Sequence, residues 1–186
     1  APSGPADGAM APNTLVIGAQ RSGKSRKAEE LGSSAGGELV YLATATAGDA
    51  EMAERIATHR ARCGGDWRTV EEPLDLPGIL DREALPGRAV LVDCLTLWLS
   101  NLFGAERDIV HETDRLVAAL QRTACPVVLV SNEVGAGIIP MNALARRYAD
   151  AAGILNQRVA AACDRVILMA AGIALPIKPS PFPEPA

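Results

Sequence analysis

The chain has 186 residues, 48% of them hydrophobic, 22% charged and 3% aromatic, with a net charge of −4. That length suffices for one domain with a full core and is short for two, and no apolar run nears the roughly 20 residues that cross a bilayer. Low basicity and few aromatics argue against a nucleic-acid binder, which presents a basic, stacking face.

The opening stretch APSGPADGAMAPN (residues 1–13) is small and rich in Pro and Gly, with neither a basic n-region nor an apolar h-region. It reads as a flexible lead-in rather than a secretory signal, so a cytoplasmic address is the expectation. Five short apolar, β-branched runs follow: Thr14–Gly18, Glu38–Thr44, Ala89–Cys94, Pro126–Asn132 and Arg165–Ala170. They are apolar on both faces rather than alternating, as strands are when helices cover both sides of a parallel sheet. The expected fold class is therefore α/β, three layers around a mostly parallel central sheet. Helical spacing of apolar residues fits about Gly23–Gly32, Asp49–Arg62, Leu95–Phe103, Asp108–Thr123 and Asn142–Ala162. The stretch EEPLDLPGILDREALPGR is interrupted by proline and gives no clear element. From Pro176 the chain is too rich in proline for a strand or helix interior and is expected to run extended or disordered. A single catalytic domain over 14–178 with a Pro-rich tail at 179–186 results. Cys63, Cys94, Cys125 and Cys163 are widely spaced, without a C-x-x-C pair, and read as buried thiols.

The first strand ends in GAQRSGKS, which places Gly18, Gly23, Lys24 and Ser25 in the spacing of a phosphate-binding loop between a strand and a helix. Such a loop turns several backbone N–H groups toward one point and adds the positive end of the helix. Lys24 would reach the β and γ phosphates and Ser25 would ligate Mg²⁺, while Gly18 and Gly23 permit close backbone approach. The buried run AVLVDC ends in Asp93, an acid placed to hold Mg²⁺ directly or through water. A strand ending in an acidic turn residue is common by itself; the loop gives this one its reading.

His59 and His111 are the two histidines. On a helix of about 100° per residue, Glu51, Arg55, His59 and Arg62 share one face, and Met52, Ile56 and Cys63 form the adjacent apolar stripe. On periodicity alone His59 reads as a surface residue. Its neighbours Arg55, Arg60 and Arg62 change that reading, because positive charge keeps an imidazole neutral and arginines stabilise charge developing on phosphate. An imidazole so placed is suited to attack phosphorus and form a phosphoramidate. His111, in a polar first turn, reads as surface. The loop SNEVGAGIIP reads equally as a ligand loop at a strand's carboxyl end and as a Gly-rich turn capped by Asn132.

The segments GAQRSGKSRKAE, YLATATAGDAEMAERIATHRARCGGDWRTVEEP, VLVDCLTLWLSNL, VVLVSNEVGAGIIP and RRYADAAGILNQRVAAACDRVILMAAGIALPIK occur in this order. Together they resemble the bifunctional adenosylcobinamide kinase / adenosylcobinamide-phosphate guanylyltransferase family. The resemblance runs from Thr14 to about Lys178. It implies a RecA-like P-loop NTPase fold, with GTP, ATP and Mg²⁺ as cofactors and a corrinoid, adenosylcobinamide or its phosphate, as the small-molecule substrate. It further implies two reactions of cobalamin biosynthesis, phosphorylation of the aminopropanol hydroxyl and then transfer of GMP from GTP to that phosphate. His59 matches the family's covalent guanylyl carrier, and Gly18, Ala19, Gln20, Arg21, Ser22, Gly23, Lys24 and Ser25 match its nucleotide loop. Further nucleotide contacts fall on Ala45, Thr46, Ala47, Arg62, Cys63, Gly64, Gly65, Glu71 and Asp93. Asp93 stands where relatives often carry Glu, a shortening by one methylene. A homo-oligomer, with a trimer as the suggested state, is also implied. Two other readings of the loop stay open on the residues alone: a small-molecule kinase in which His59 has no covalent role, and a nucleotide switch acting on a partner.

Overall fold

The computed structural model describes residues 12–45, 57 and 67–179. The expected helix at Asp49–Arg62 lies outside the described residues apart from Ala57, which is helical. The elements are β1 (Asn13–Gly18), α1 (Lys24–Ala35), β2 (Glu38–Ala43), β3 (Trp67–Glu71), α2 (Leu76–Glu83), β4 (Arg88–Asp93), α3 (Leu95–Gly104), α4 (Ile109–Leu120), β5 (Val127–Asn132), α5 (Ala143–Ala162), β6 (Arg165–Ala170) and β7 (Ile173–Lys178). All five predicted strands are present, and the four predicted helices within the described residues match to within a turn.

The sheet order is β3-β2-β4-β5-β1-β6-β7, parallel throughout except for β7, which runs antiparallel to β6. Alternate residues of the central strands feed two separate cores. Leu15, Val40, Leu42, Val90, Val92, Val127 and Leu129 pack with the buried residues of α2, α3, α4 and α5 on one face. Val16, Tyr41, Ala43, Leu91, Val128 and Val130 pack with Ala28 of α1 and with Trp67 on the other. Burial on both faces is why these strands read as continuous apolar runs rather than as alternation.

Two strands escape the sequence pattern, both at sheet edges. β3 (WRTVE) is short and largely uncovered, so it carries no apolar run to recognise. β7 corrects the expectation for the tail, because strand structure continues through Pro176 to Lys178. Proline is tolerated there because an edge strand needs no ladder donor on its outer side, and the register is irregular between Val166 and Ile167, next to the partner of Pro176. The proline-interrupted stretch contains α2, whose first turn holds Pro77 and whose N-cap Asp75 accepts from the Gly78 amide at 3.2 Å. Proline suits a first turn, where its missing N–H has no intrahelical partner to lose. Cys94, Cys125 and Cys163 are buried thiols as expected, and Cys63 lies outside the described residues.

α1 packs closely enough on β3 that a Cβ built on Gly32 would stand 2.5 Å from Cη2 of Trp67. Alanine in a helix interior ordinarily gains about 1 kcal/mol over glycine. Here the buried indole must shift, and overpacking of that kind costs about 1–3 kcal/mol. Gly32→Ala is therefore expected to lower the stability read in urea unfolding, against the propensity rule.

Candidate active site

The phosphate loop leaves β1 at Gly18 and enters α1 at Lys24. Its shape depends on two glycines. A Cβ on Gly18 would lie 2.4 Å from the Met169 carbonyl oxygen, and Gly23 has φ 96°, in the left-handed region. Arg21 also has a positive φ of 54°, so the backbone reverses twice within three residues, a geometry that converges successive N–H groups. The loop is braced from outside: the Gly172 amide in the β6–β7 turn donates to the Ser22 carbonyl at 3.0 Å, and the Glu133 amide donates to that of Gly18 at 3.0 Å. Lys24, only 7% exposed, turns back over the loop and its Nζ donates to the Ala19 carbonyl at 2.5 Å, with Ser22 Oγ at 3.5 Å. Ser25, half-buried, follows in the first helical turn.

Asp93 closes β4 at the same carboxyl edge of the sheet, with β5 between it and β1. Two strand spacings, about 10 Å, thus separate it laterally from Gly18. Its Oδ2 accepts from the Tyr41 hydroxyl at 2.9 Å. Burial first, and the Asp93 charge second, push the Tyr41 phenol far above its ordinary range, so it remains a donor. Thr44 fixes the backbone around this acid: its hydroxyl donates to the Cys94 carbonyl at 2.8 Å and accepts from the Cys94 amide at 3.0 Å. Asn101 of α3 donates to the Thr44 carbonyl at 2.6 Å and to that of Pro73 at 3.0 Å, tying together the exits of β2 and β3.

The predicted site residues therefore divide. Gly18 through Ser25 form one loop, with Asp93 two strands away. Ala45 is buried just beyond β2, and Glu71 ends the edge strand β3, exposed to solvent. Glu71 is level with Ala43 and Asp93 in the register but four strand spacings, about 19 Å, from β1. It does not stand beside the loop. His59, Thr46, Ala47, Arg62, Cys63, Gly64 and Gly65 lie outside the described residues. His111 is exposed, with its amide donating to the α4 cap Asp108, which fits the surface reading. Sequence reasoning missed Tyr41, Thr44 and Asn101. Tyr41 had a signal, since a phenol inside an apolar core strand needs a hydrogen-bond partner. Thr44 and Asn101 act on carbonyls distant in sequence and gave none.

Ser25 and Asp93 offer hard oxygen donors, the set that suits Mg²⁺, which is commonly held by one or two such groups and the substrate's phosphates. Among the described residues no group of three or more His, Cys, Asp or Glu could hold a metal ion by itself. Tyr41→Phe removes a charge-assisted hydrogen bond from Asp93, worth about 1.5–3 kcal/mol. Turnover is expected to need roughly tenfold more Mg²⁺ for half-maximal rate, checked by magnesium titration of the variant.

The model of the cobinamide kinase / cobinamide phosphate guanyltransferase family matches residues 14–177. The bifunctional adenosylcobalamin biosynthesis protein CobP of Pseudomonas aeruginosa is 48% identical over 170 residues, covering 90% of this chain and 98% of its own. CobU of Salmonella typhimurium, described in the same words, is 42% identical over 179 residues, covering 88% and 98%. Among solved structures, the RadB recombinase superposes with a TM-score of 0.51 at 18% identity, covering 87% of this chain and 76% of its own. An ATPase of a bacterial type III secretion system gives a TM-score of 0.53 at 12% identity, covering 84% and 50%. Those two likenesses carry the fold alone, a RecA-like P-loop NTPase. The loop, the acid at the end of β4 and a match spanning nearly the whole chain agree: it belongs to the cobinamide kinase / cobinamide phosphate guanyltransferase family of enzymes.

Proposed function

We propose that the chain phosphorylates the aminopropanol hydroxyl of adenosylcobinamide at the Gly18–Ser25 loop, with ATP or GTP as donor. It then moves GMP from GTP onto that phosphate by way of His59. In the first half of the transfer the imidazole nitrogen attacks the α-phosphorus of GTP and the bond to pyrophosphate breaks. In the second, an oxygen of the corrinoid phosphate attacks the same phosphorus, the P–N bond breaks and the imidazole is regenerated. Mg²⁺ held by Ser25 and Asp93 would neutralise phosphate charge. Lys24 binds the phosphates, and the loop amides orient them. On their distance from the loop, Ala45 and Glu71 serve guanine-nucleotide binding away from the phosphates that the loop cradles; the family resemblance adds Thr46, Ala47 and Arg62 to Gly65 to the nucleotide contacts.

The observation that carries this reading is the buried Lys24 folded over a braced phosphate loop, in a chain whose family match also spans the Arg-flanked His59. Residues 14–178 act as one catalytic domain, in a cytoplasmic homo-oligomer for which a trimer is the expected state. No helix among the described residues is long and apolar enough to cross a membrane. Incubation with α-labelled GTP tests the proposal: the folded protein should acquire a label that is stable to alkali and lost in acid. Absence of label leaves a P-loop kinase without the covalent step.

A further inference from the structure

The corrinoid must bring one hydroxyl to the phosphate loop, so the body of the molecule has to be held within one side-chain length of it. A cavity of about 660 Å³ lies between α3, the start of α5 and the loop after β5. Its walls include Phe103, Val134, Pro140 and Tyr148, and its polar groups include Ser100 and Asn142. The rings of Phe103 and Tyr148 meet edge to face at 5.7 Å, and the Tyr148 hydroxyl donates to the Thr96 carbonyl at 2.6 Å, which ties this wall to the start of α3. Among the described residues no charged side chain lines the cavity, and the Arg147 guanidinium stands 6.0 Å from the Phe103 ring centroid. An anionic nucleotide or free phosphate finds no cationic partner among these lining residues, whereas a macrocycle with an apolar body and neutral amide side chains is matched. The carboxamide oxygen of Asn142 is taken by the amides of Leu144 and Ala145, leaving its NH₂ as a donor.

The cavity is also in the right place. Asn132 at the end of β5 is the register partner of Gly18, one strand spacing of about 4.8 Å away. Val134 follows two residues later, at most about 7 Å further. A propionamide carrying an aminopropanol spans about 9 Å when extended, and the phosphate seated over the loop covers the rest of an upper limit of about 12 Å. The exposed Ile139 and Met141, either side of Pro140, stand 78% and 98% exposed at the rim, apolar cover for a ligand larger than the cavity.

We propose that this cavity seats one edge of the corrinoid acceptor, with its amides on Ser100 and Asn142 and its aminopropanol arm running past the end of β5 to the phosphate loop. The proposal rests on the acceptor named above. Its test is equilibrium dialysis and kinase kinetics with adenosylcobinamide on two variants. Ala145→Trp fills the cavity; Leu144→Arg puts a bulky cation at its edge, against the net positive charge that Co(III) leaves on the corrinoid, on a side chain already 60% exposed, where folding is insensitive to the change. Both should raise the Kd and KM for adenosylcobinamide at least about tenfold, with GTP affinity within about twofold of wild type. Unchanged corrinoid binding in the folded variants overturns the cavity assignment alone. So does a fall to monomer in sedimentation with corrinoid binding unchanged, which makes the occupant a second copy of the chain. A wild-type protein that binds no adenosylcobinamide overturns the cavity and the proposed function together. Loss of corrinoid binding in both variants, in a protein that takes no label from GTP, upholds the cavity and sinks only the covalent step.

Discussion

His59→Ala is expected to abolish guanylyl transfer while sparing phosphorylation of adenosylcobinamide. The reasoning is that the kinase step has no use for a nucleophile of the protein's own: the acceptor hydroxyl attacks the γ-phosphorus directly, and the loop only positions and neutralises charge. Transfer of GMP is different. A phosphoramidate divides one displacement between two bulky anions into two steps, each with a good leaving group, and without the imidazole neither step exists. Loss of a nucleophile in a covalent mechanism is expected to cost at least about 10³ in rate. Covalent label from α-labelled GTP should vanish altogether, because no other histidine shares the setting: His111 is exposed on α4, capped into a polar first turn. The measurement is a pair of assays on one preparation, phosphate transfer to adenosylcobinamide and formation of its GDP derivative. Equal loss of both would refute the division of labour proposed between loop and histidine.

Much of this architecture was legible in the residues because the central strands obey one rule. Val90 and Leu91, or Val128 and Leu129, face opposite cores, so covered parallel strands had to read as unbroken apolar runs. The phosphate loop was legible for a different reason: its glycines answer to the Met169 carbonyl and to a left-handed φ, constraints that leave few residue choices. What escaped lies at edges and in long-range polar contacts. β3 and β7 need no continuous apolar surface, and β7 even accommodates Pro176. The Asn101 amide holds Thr44 across 57 positions of sequence, a partnership that no local spacing announces. Glu71 shows the limit from the other side. Motif order placed it among the nucleotide contacts, but only the strand order reveals that it stands four strands from the loop.

The other large effect is expected at Lys24. Replacing it by alanine should depress both reactions, nucleotide affinity by about 10–100-fold and turnover by about 10³, since a preorganised positive group aimed at developing phosphate charge is worth that much in a site shielded from water. Arginine should not restore it. The ammonium is a compact point charge held 2.5 Å from the Ala19 carbonyl inside a loop that has no space for a Cβ on Gly18, whereas a guanidinium is a planar fork. Lys24 opens α1, and a cation at a helix N-terminus is disfavoured by about 0.3–1 kcal/mol, so removing it offsets much of the hydrogen bonding it takes away. Alanine is also the better helix former. The net change in stability is expected to stay within about 1 kcal/mol, a shift of a few degrees in Tm. Calorimetry beside the two activity assays therefore decides the matter: a variant that melts normally and turns over neither substrate identifies Lys24 as part of the chemistry, and one that melts far lower identifies it as part of the scaffold.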